Sequence, residues 1–184
     1  VTAHNITLPG YSNVAFSVVQ NTRKGEIVCP DDSVFEIKNP DLDITILEKG
    51  KDVLQKVKIS GGGRCNVTNA CFDPKELVKF YPRGEKELLG PFHQFMTGDT
   101  FQWFDDRGVP LKIEDDDRVF PEANTSQAII DCFQNAVDNL GIKVLTNHGV
   151  NSVCKNNNKW LVKTKEKAFE VDKVVIAAGS SKKV

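Results

Sequence analysis

The sequence lacks an excess of charge of either sign: 24 Lys and Arg face 25 Asp and Glu, for a net charge of -1. A sequence-blind grip on nucleic acid or anionic lipid needs surplus cations, so neither nucleic acid nor a membrane is an expected partner. Long apolar runs are also missing. The longest, Val174 to Ala178, has five residues, against about 20 for a bilayer-spanning helix. No charged-then-apolar leader opens the sequence, and a cytoplasmic location is expected. The cysteines are not paired: Cys29, Cys65, Cys71, Cys132 and Cys154 are an odd, scattered set without a C-x-x-C. That argues against a disulfide framework and, with His4, His93 and His148 far apart, against a metal site. Neither a P-loop nor a G-x-G-x-x-G loop is present.

What is present is an alternation of strand-like and helix-like segments over 184 residues, 40% of them hydrophobic, which suits one α/β domain. Residues 14–20 and 26–28 are short and β-like, and Pro30-Asp31-Asp32 reads as a turn. Ile44 to Leu47, apolar and β-branched between charges, suits a buried parallel strand. Residues 74–81 and 88–107 read as helices, the second closed by Gly108, and Val109 to Ile113 as a strand. The stretch 126–140 is the cleanest helix, with apolar residues from Ala128 to Leu140 at helical spacing. Asn124 or Thr125 can cap its start, and Gly141 lies past its end. Cys132 falls on its apolar face and reads as core. Strands are expected at 142–146, 149–154, 159–164, 168–171 and 173–178, with Asn156 to Asn158 as a hairpin turn. This order predicts a doubly wound parallel sheet with a small antiparallel layer.

The informative segment is Leu54 to Asn69. Three consecutive glycines, Gly61, Gly62 and Gly63, do not belong in a helix or strand interior. They suit backbone that approaches a ligand closely as an anion nest, or else a flexible surface loop. Arg64 adds a permanent cation with a planar donor fork, and Asn66, Thr68 and Asn69 add short polar groups. The run Glu114 to Asp117 reads as a charged turn between strands, because a hard-cation loop needs spaced ligands.

The string Lys58-Ile-Ser-Gly-Gly-Gly-Arg-Cys-Asn-Val-Thr-Asn69 resembles the hallmark I-S-G-G-G-R-C-N-x-T-N of the BaiN/YhiN-type, aminoacetone-oxidase-like, FAD-dependent oxidoreductases. Ile44 to Lys49 resembles that family's second strand with its terminal Glu. Gly108 to Lys112 and Arg118 to Pro121 resemble its G-V-x-L-K and R-V-F-P elements, and Val174 to Gly179 its closing strand. The resemblance covers roughly residues 39–181 and implies a Rossmann-like FAD-binding domain. Glu48, at a parallel strand's carboxyl end, would accept from ribose hydroxyls, though a strand-end surface charge is the plainer reading. Lys49 and Lys56 would lie along the adenosine or pyrophosphate, or be solvated charge. The loop of Ser60, Gly61, Gly62, Gly63, Arg64, Cys65 and Asn66, with Thr68, would wrap the flavin side, Arg64 stabilising negative charge on the reduced ring. Cys65 reads as a packed thiol rather than a redox group, since nothing near it but Arg64 would favour thiolate. Val150 resembles the position whose backbone meets the adenine edge. Gly179 would let the chain pass close to the cofactor, unless it is a simple strand-end turn.

Both ends depart from the family. Counting back about 25 residues from Glu48 (roughly the spacing a phosphate loop requires) reaches Arg23 to Val28, where Gly25 alone fits, and Pro30 interrupts the helix that should follow. The expectation is an atypical segment, 1–38, followed by an incomplete FAD-binding Rossmann-like domain, 39–184, of a longer flavoprotein. The expected activity is hydride transfer between a small organic substrate or NAD(P)H and FAD, with no side chain marked as acid or base. The alternative is a non-catalytic nucleotide- or protein-binding module on a degenerate scaffold. Residues 23–30 separate the two.

Overall fold

The computed structural model describes residues 43–177 and the backbone of two earlier strands. The strands are β1 (Ile6–Thr7), β2 (Ala15–Gln20), β3 (Asp43–Glu48), β4 (Thr68–Asn69), β5 (Leu111–Ile113), β6 (Arg118–Pro121), β7 (Lys143–Leu145), β8 (Ser152–Asn156), β9 (Lys159–Lys163), β10 (Ala168–Val171) and β11 (Lys173–Ala177). The helices are α1 (Gln55–Ile59), α2 (Pro74–Leu77), α3 (Glu85–Phe92), α4 (Thr97–Asp105) and α5 (Ser126–Asn139). The expected strand at 26–28, the turn at Pro30 and Gly179 lie outside the described residues. No helix among the described residues is long and apolar enough to cross a membrane.

The chain divides into two compact units, and each is taken by itself. The first, a sheet unit, holds residues 43–53 and 137–177 with β1 and β2. One of its sheets has the order β11-β2-β3-β7. β3 and β7 pair in parallel, Ile46 opposite Val144, as the apolar run at 44–47 predicts. β2 pairs antiparallel with β3 on one side and with β11 on the other. The other sheet, β1-β8-β9-β10, is antiparallel, with β8 and β9 joined by the tight turn expected at Asn156 to Asn158. Leu47, Val153, Val162, Phe169 and Val171 form the buried core. On β10 Phe169 and Val171 are buried and Ala168 and Glu170 exposed, the period-2 alternation of a sheet with one wet face.

The second unit, residues 54–136, is helical with a small antiparallel sheet, β4-β6-β5. Its larger core joins Cys65, Trp103, Phe104, Ile129 and Cys132, and a smaller one joins Leu77, Val78, Leu88 and Phe92. Cys132 is therefore core, as its helical face implies. α2 is capped by Asp73, whose carboxylate accepts the Lys75 N–H at 2.7 Å. Thr125 rather than Asn124 caps α5, its Oγ1 accepting the Gln127 N–H at 3.2 Å, while Asn124 turns left-handed at φ 57°.

The single helix expected over 88–107 is two. Met96 is extended (φ -147°, ψ -159°), and its N–H donates to the Asp99 carboxylate at 2.8 Å, which starts α4 afresh. Thr97 is buried and donates to the Asn69 carbonyl at 3.0 Å, tying that start to β4. Aromatic density from Phe92 to Phe104 resembles one continuous helix because both helices bury aromatics. The capping residues between them carry the break.

Candidate functional site

Within the helical unit, α1 runs into the three glycines, all left-handed, with φ of 54°, 69° and 85° for Gly61, Gly62 and Gly63. A Cβ built on Gly61 would lie 2.7 Å from the Asn66 nitrogen and 2.8 Å from Phe120 Cε1, so no side chain fits there. A Cβ on Gly62 or Gly63 would meet nothing within 4 Å. Gly61 is a packing glycine, whereas Gly62 and Gly63 present bare backbone to open space. Cys65 is left-handed as well, at φ 62°, a costly conformation for a residue with a Cβ.

Neighbouring contacts hold this loop in shape. The Cys65 N–H donates to the Ser60 carbonyl at 3.0 Å and the Ser60 hydroxyl to the Val57 carbonyl at 2.9 Å. Asn66 Oδ1 accepts the Val119 N–H at 3.3 Å, and Thr68 pairs with Val119 in the small sheet. From α5, the Ser126 hydroxyl donates to the Lys58 carbonyl at 2.9 Å. The loop is a built structure, not a flexible surface strand of glycines.

Arg64 is engaged on two sides. Its fork donates to both Glu114 carboxylate oxygens, at 2.5 and 3.4 Å, and its guanidinium lies 3.9 Å over the Phe120 ring. Glu114 belongs to the charged turn between β5 and β6, which Asp117 closes at φ 61°. Arg118 in turn pairs with Asp116 at 2.7 Å. The acidic run is thus a hairpin turn that answers two arginines. Sequence reasoning passed over Glu114 as plain turn charge. Its signal, an acid at the start of the run four residues before Arg118, points to no partner.

Cys65 is packed, as expected. Burial pushes its thiol up from the ordinary value, against a smaller opposing hydrogen bond from Ser60, so it stays protonated and unreactive near neutrality.

In the sheet unit, Glu48 ends β3. Its Oε1 accepts the Gly50 N–H at 2.6 Å. The Glu48 carbonyl accepts from the His148 N–H and the Gly50 carbonyl from the Asn147 N–H, both at 2.8 Å. These bonds lace the end of β3 to the loop after β7. A Cβ on Gly149 would sit 3.0 Å from Lys49 Cγ, so the glycine admits the Lys49 stem. Val150 lies in this loop and packs against the Leu47 core. The strand expected from 149 begins only at Ser152, because left-handed Asn147 (φ 59°) and Gly149 carry the chain around a corner first. His148, beside Glu48 in this lacing, was also missed; an isolated histidine gives no signal.

The sequence-predicted residues therefore fall into two groups. Ser60 to Asn66 and Thr68 form one loop of the helical unit, with Lys56 on the helix that leads into it. Glu48, Lys49 and Val150 gather in the sheet unit. Among the described residues no three His, Cys, Asp or Glu side chains cluster as a metal site would need.

The model of the HI0933-like protein Rossmann domain matches residues 33–183. The 3-dehydro-bile acid delta(4,6)-reductase of Clostridium scindens is 22% identical over 139 residues, 76% of this chain and 33% of that protein. Ribosomal RNA dihydrouridine synthases of Haemophilus influenzae (21% over 140 residues; 74% of this chain, 34% of that one) and Escherichia coli (24% over 136; 74% and 33%) are similar too. The chain spans about a third of the length of these relatives.

Two of those names overturn the exclusion of nucleic acid. Net charge reports the footprint of a protein that holds many phosphates along its surface. An enzyme that acts on a single base of an RNA is under no such requirement over every part of its chain. The near-neutral charge of a chain that spans about a third of such relatives carries no argument against an RNA substrate.

Proposed function

The chain belongs to the HI0933-like Rossmann-domain family of flavoproteins, and on that premise we propose that it is the cofactor-holding part of an FAD-type oxidoreductase. The observation that carries the proposal is the built glycine loop: Gly62 and Gly63 offer left-handed bare backbone to open space, on a support fixed by Arg64, Glu114 and Phe120. Such a surface suits a flat ring laid against the chain. Ser60, Gly61, Gly62, Gly63, Arg64, Cys65, Asn66 and Thr68 form the flavin side. Glu48, at the carboxyl end of β3, takes the ribose, while its Oε1 also holds the turn at Gly50. Lys49 and Lys56 supply positive charge toward the adenosine and pyrophosphate, and the Val150 backbone meets the adenine edge.

When bound, FAD supplies the hydride chemistry, exchanging hydride at flavin N5 with a small organic substrate or with NAD(P)H as donor. The protein's part is to bind, orient and exclude water. Arg64 reaches the loop as one half of an ion pair with Glu114, so its charge is partly compensated, and the backbone donors carry more of any stabilisation of a reduced ring. The names of the relatives, a reductase and a synthase of a dihydro product, both describe reductions, which favours reduction as the direction of the reaction.

FAD titration tests the reading. The ~450 nm flavin band is expected to shift and its fluorescence to quench on binding, and Glu48→Gln to weaken binding about tenfold, the loss of one charge-assisted ribose bond. A protein that leaves the flavin spectrum unchanged at millimolar concentration overturns it.

A further inference from the structure

In the sheet β11-β2-β3-β7, β3 and β7 run parallel, and β11 runs the same way, since β2 is antiparallel to both β3 and β11. Three strands share one sense, and the strand between two of them is reversed. Ala15, the first residue of β2, lies opposite Glu48 and Ala177, the last residues of β3 and β11. At the edge where the parallel strands end, β2 begins.

A dinucleotide-binding sheet needs the opposite. Its phosphates sit beyond the carboxyl ends of the strands, and a central strand must end there, turn tightly and feed a helix whose N-terminus faces the anion. The strand next to the ribose-binding acid supplies that turn. Here the neighbour of Glu48 brings its amino end to that edge, so no strand-to-helix turn can issue from it toward a phosphate. Gln20, its carboxyl end, lies opposite Asp43 at the far edge.

We infer that β2 fills the place of the central phosphate-binding strand in reverse, and that this sheet holds the nucleoside end of a cofactor at Glu48 without gripping its pyrophosphate. The inference rests on the cofactor reading above for the role of Glu48, and on strand sense alone for the missing grip. It resolves why residues 23–30 carry no glycine loop: the strand beside β3 is 15–20, and it points the other way.

Two measurements on the full chain test it. The first is strand sense in solution. Antiparallel pairing predicts short Hα–Hα contacts in nuclear Overhauser spectra at alternate pairs along Ala15–Gln20 and Asp43–Glu48; their absence, or a parallel pattern, overturns the inference. The second is a ladder of adenosine, AMP and ADP affinities in about 0.5 M salt, where surface lysines are screened to a few Å. The expected ladder is flat within about threefold, whereas a gripped phosphate adds about tenfold or more per phosphate through charge-assisted hydrogen bonds. A steep ladder overturns the inference and leaves the FAD reading standing. A chain with the antiparallel contacts that binds none of the three at millimolar concentration removes Glu48 as a nucleoside site, which overturns the inference and counts against the FAD reading as well.

Discussion

The helical unit and the sheet unit are stabilised by different kinds of specification. Around the glycine loop, side-chain identity does most of the fixing. Arg64 needs Glu114 and Phe120, Asn66 needs Val119, Ser126 needs Lys58, and Gly61 tolerates no Cβ. In the sheet unit the fixing is topological. β2, β3, β7 and β11 come from separate stretches of chain, and backbone ladders hold them in order, with Leu47 of β3 in the unit's apolar core. A motif constrains the first unit and leaves a signature. Strand order and sense constrain the second and leave almost none.

The largest test of this contrast is in the two cores. Phe104 is 1% exposed between Trp103 and Phe133, and Phe104→Ala is expected to cost about 3–5 kcal/mol in a denaturant titration. Leu47→Ala, at 0% exposure in the sheet core, is expected to cost about 2–5 kcal/mol. A loss under about 1 kcal/mol at either position would mean that its cluster is not a packed core. The glycines give a sharper division inside the loop itself. Gly61→Ala adds a backbone clash to left-handed strain and should cost about 3 kcal/mol or more. Gly63→Ala, with open space around it, should cost only the strain, about 1–2 kcal/mol. Equal costs would show that conformation alone, and not the contact with Asn66 and Phe120, selects glycine at 61.

Legibility in the sequence follows the same line. Ile44 to Leu47 and the helix at 126–139 were readable because burial on a strand or one helix face imposes a local period. The loop was readable because three glycines before an arginine have few explanations. The α3–α4 break was hidden, since Asp99 caps Met96 and Thr97 ties to Asn69 only in the folded context. The reversal of β2 was more hidden still: a strand reads the same in either sense, and only its partners decide. Ala15–Gln20 is recognisable as a strand; which strands it joins, and which way it runs, are long-range facts. Glu114 lies 50 positions from Arg64, so the ion pair that shapes the loop was likewise out of local view.

A middle-sized effect concerns the two buried thiols of the helical unit. Burial raises both Cys65 and Cys132, for Cys132 against a smaller lowering by Arg107. An acid whose folded value lies above its unfolded one stabilises the fold fully below the unfolded value, and that contribution is lost as pH rises toward and through the folded one. The unfolded reference is the ordinary thiol value of 9.0. Stability is therefore expected to be flat in this respect to about pH 8.5 and to fall above pH 9, and Cys132→Ser to remove part of the fall. Iodoacetamide near neutrality should label half-buried Cys71 well before Cys65 or Cys132. Early modification of Cys65 would contradict its packed state and reopen a redox role for it.

The smallest effects compare one ion pair from each unit. Arg64 and Glu114 are 33% and 28% exposed, and the pair is bidentate and stacked on Phe120. Lys143 and Asp43 are 62% and 39% exposed and make a single contact at 3.0 Å. Exposed single pairs are worth about 0–1 kcal/mol, because solvent screens the attraction and two long side chains lose freedom. A half-buried fork over an aromatic face lies at or just above the top of that range, about 1 kcal/mol, and loses less to salt. Glu114→Gln is thus expected to destabilise measurably in both low and high salt, and Lys143→Ala by no more than a few tenths of a kcal/mol. If Lys143→Ala matched Glu114→Gln, side-chain identity would matter as much in the sheet as in the loop, and the division between motif and topology would fail at its finest scale.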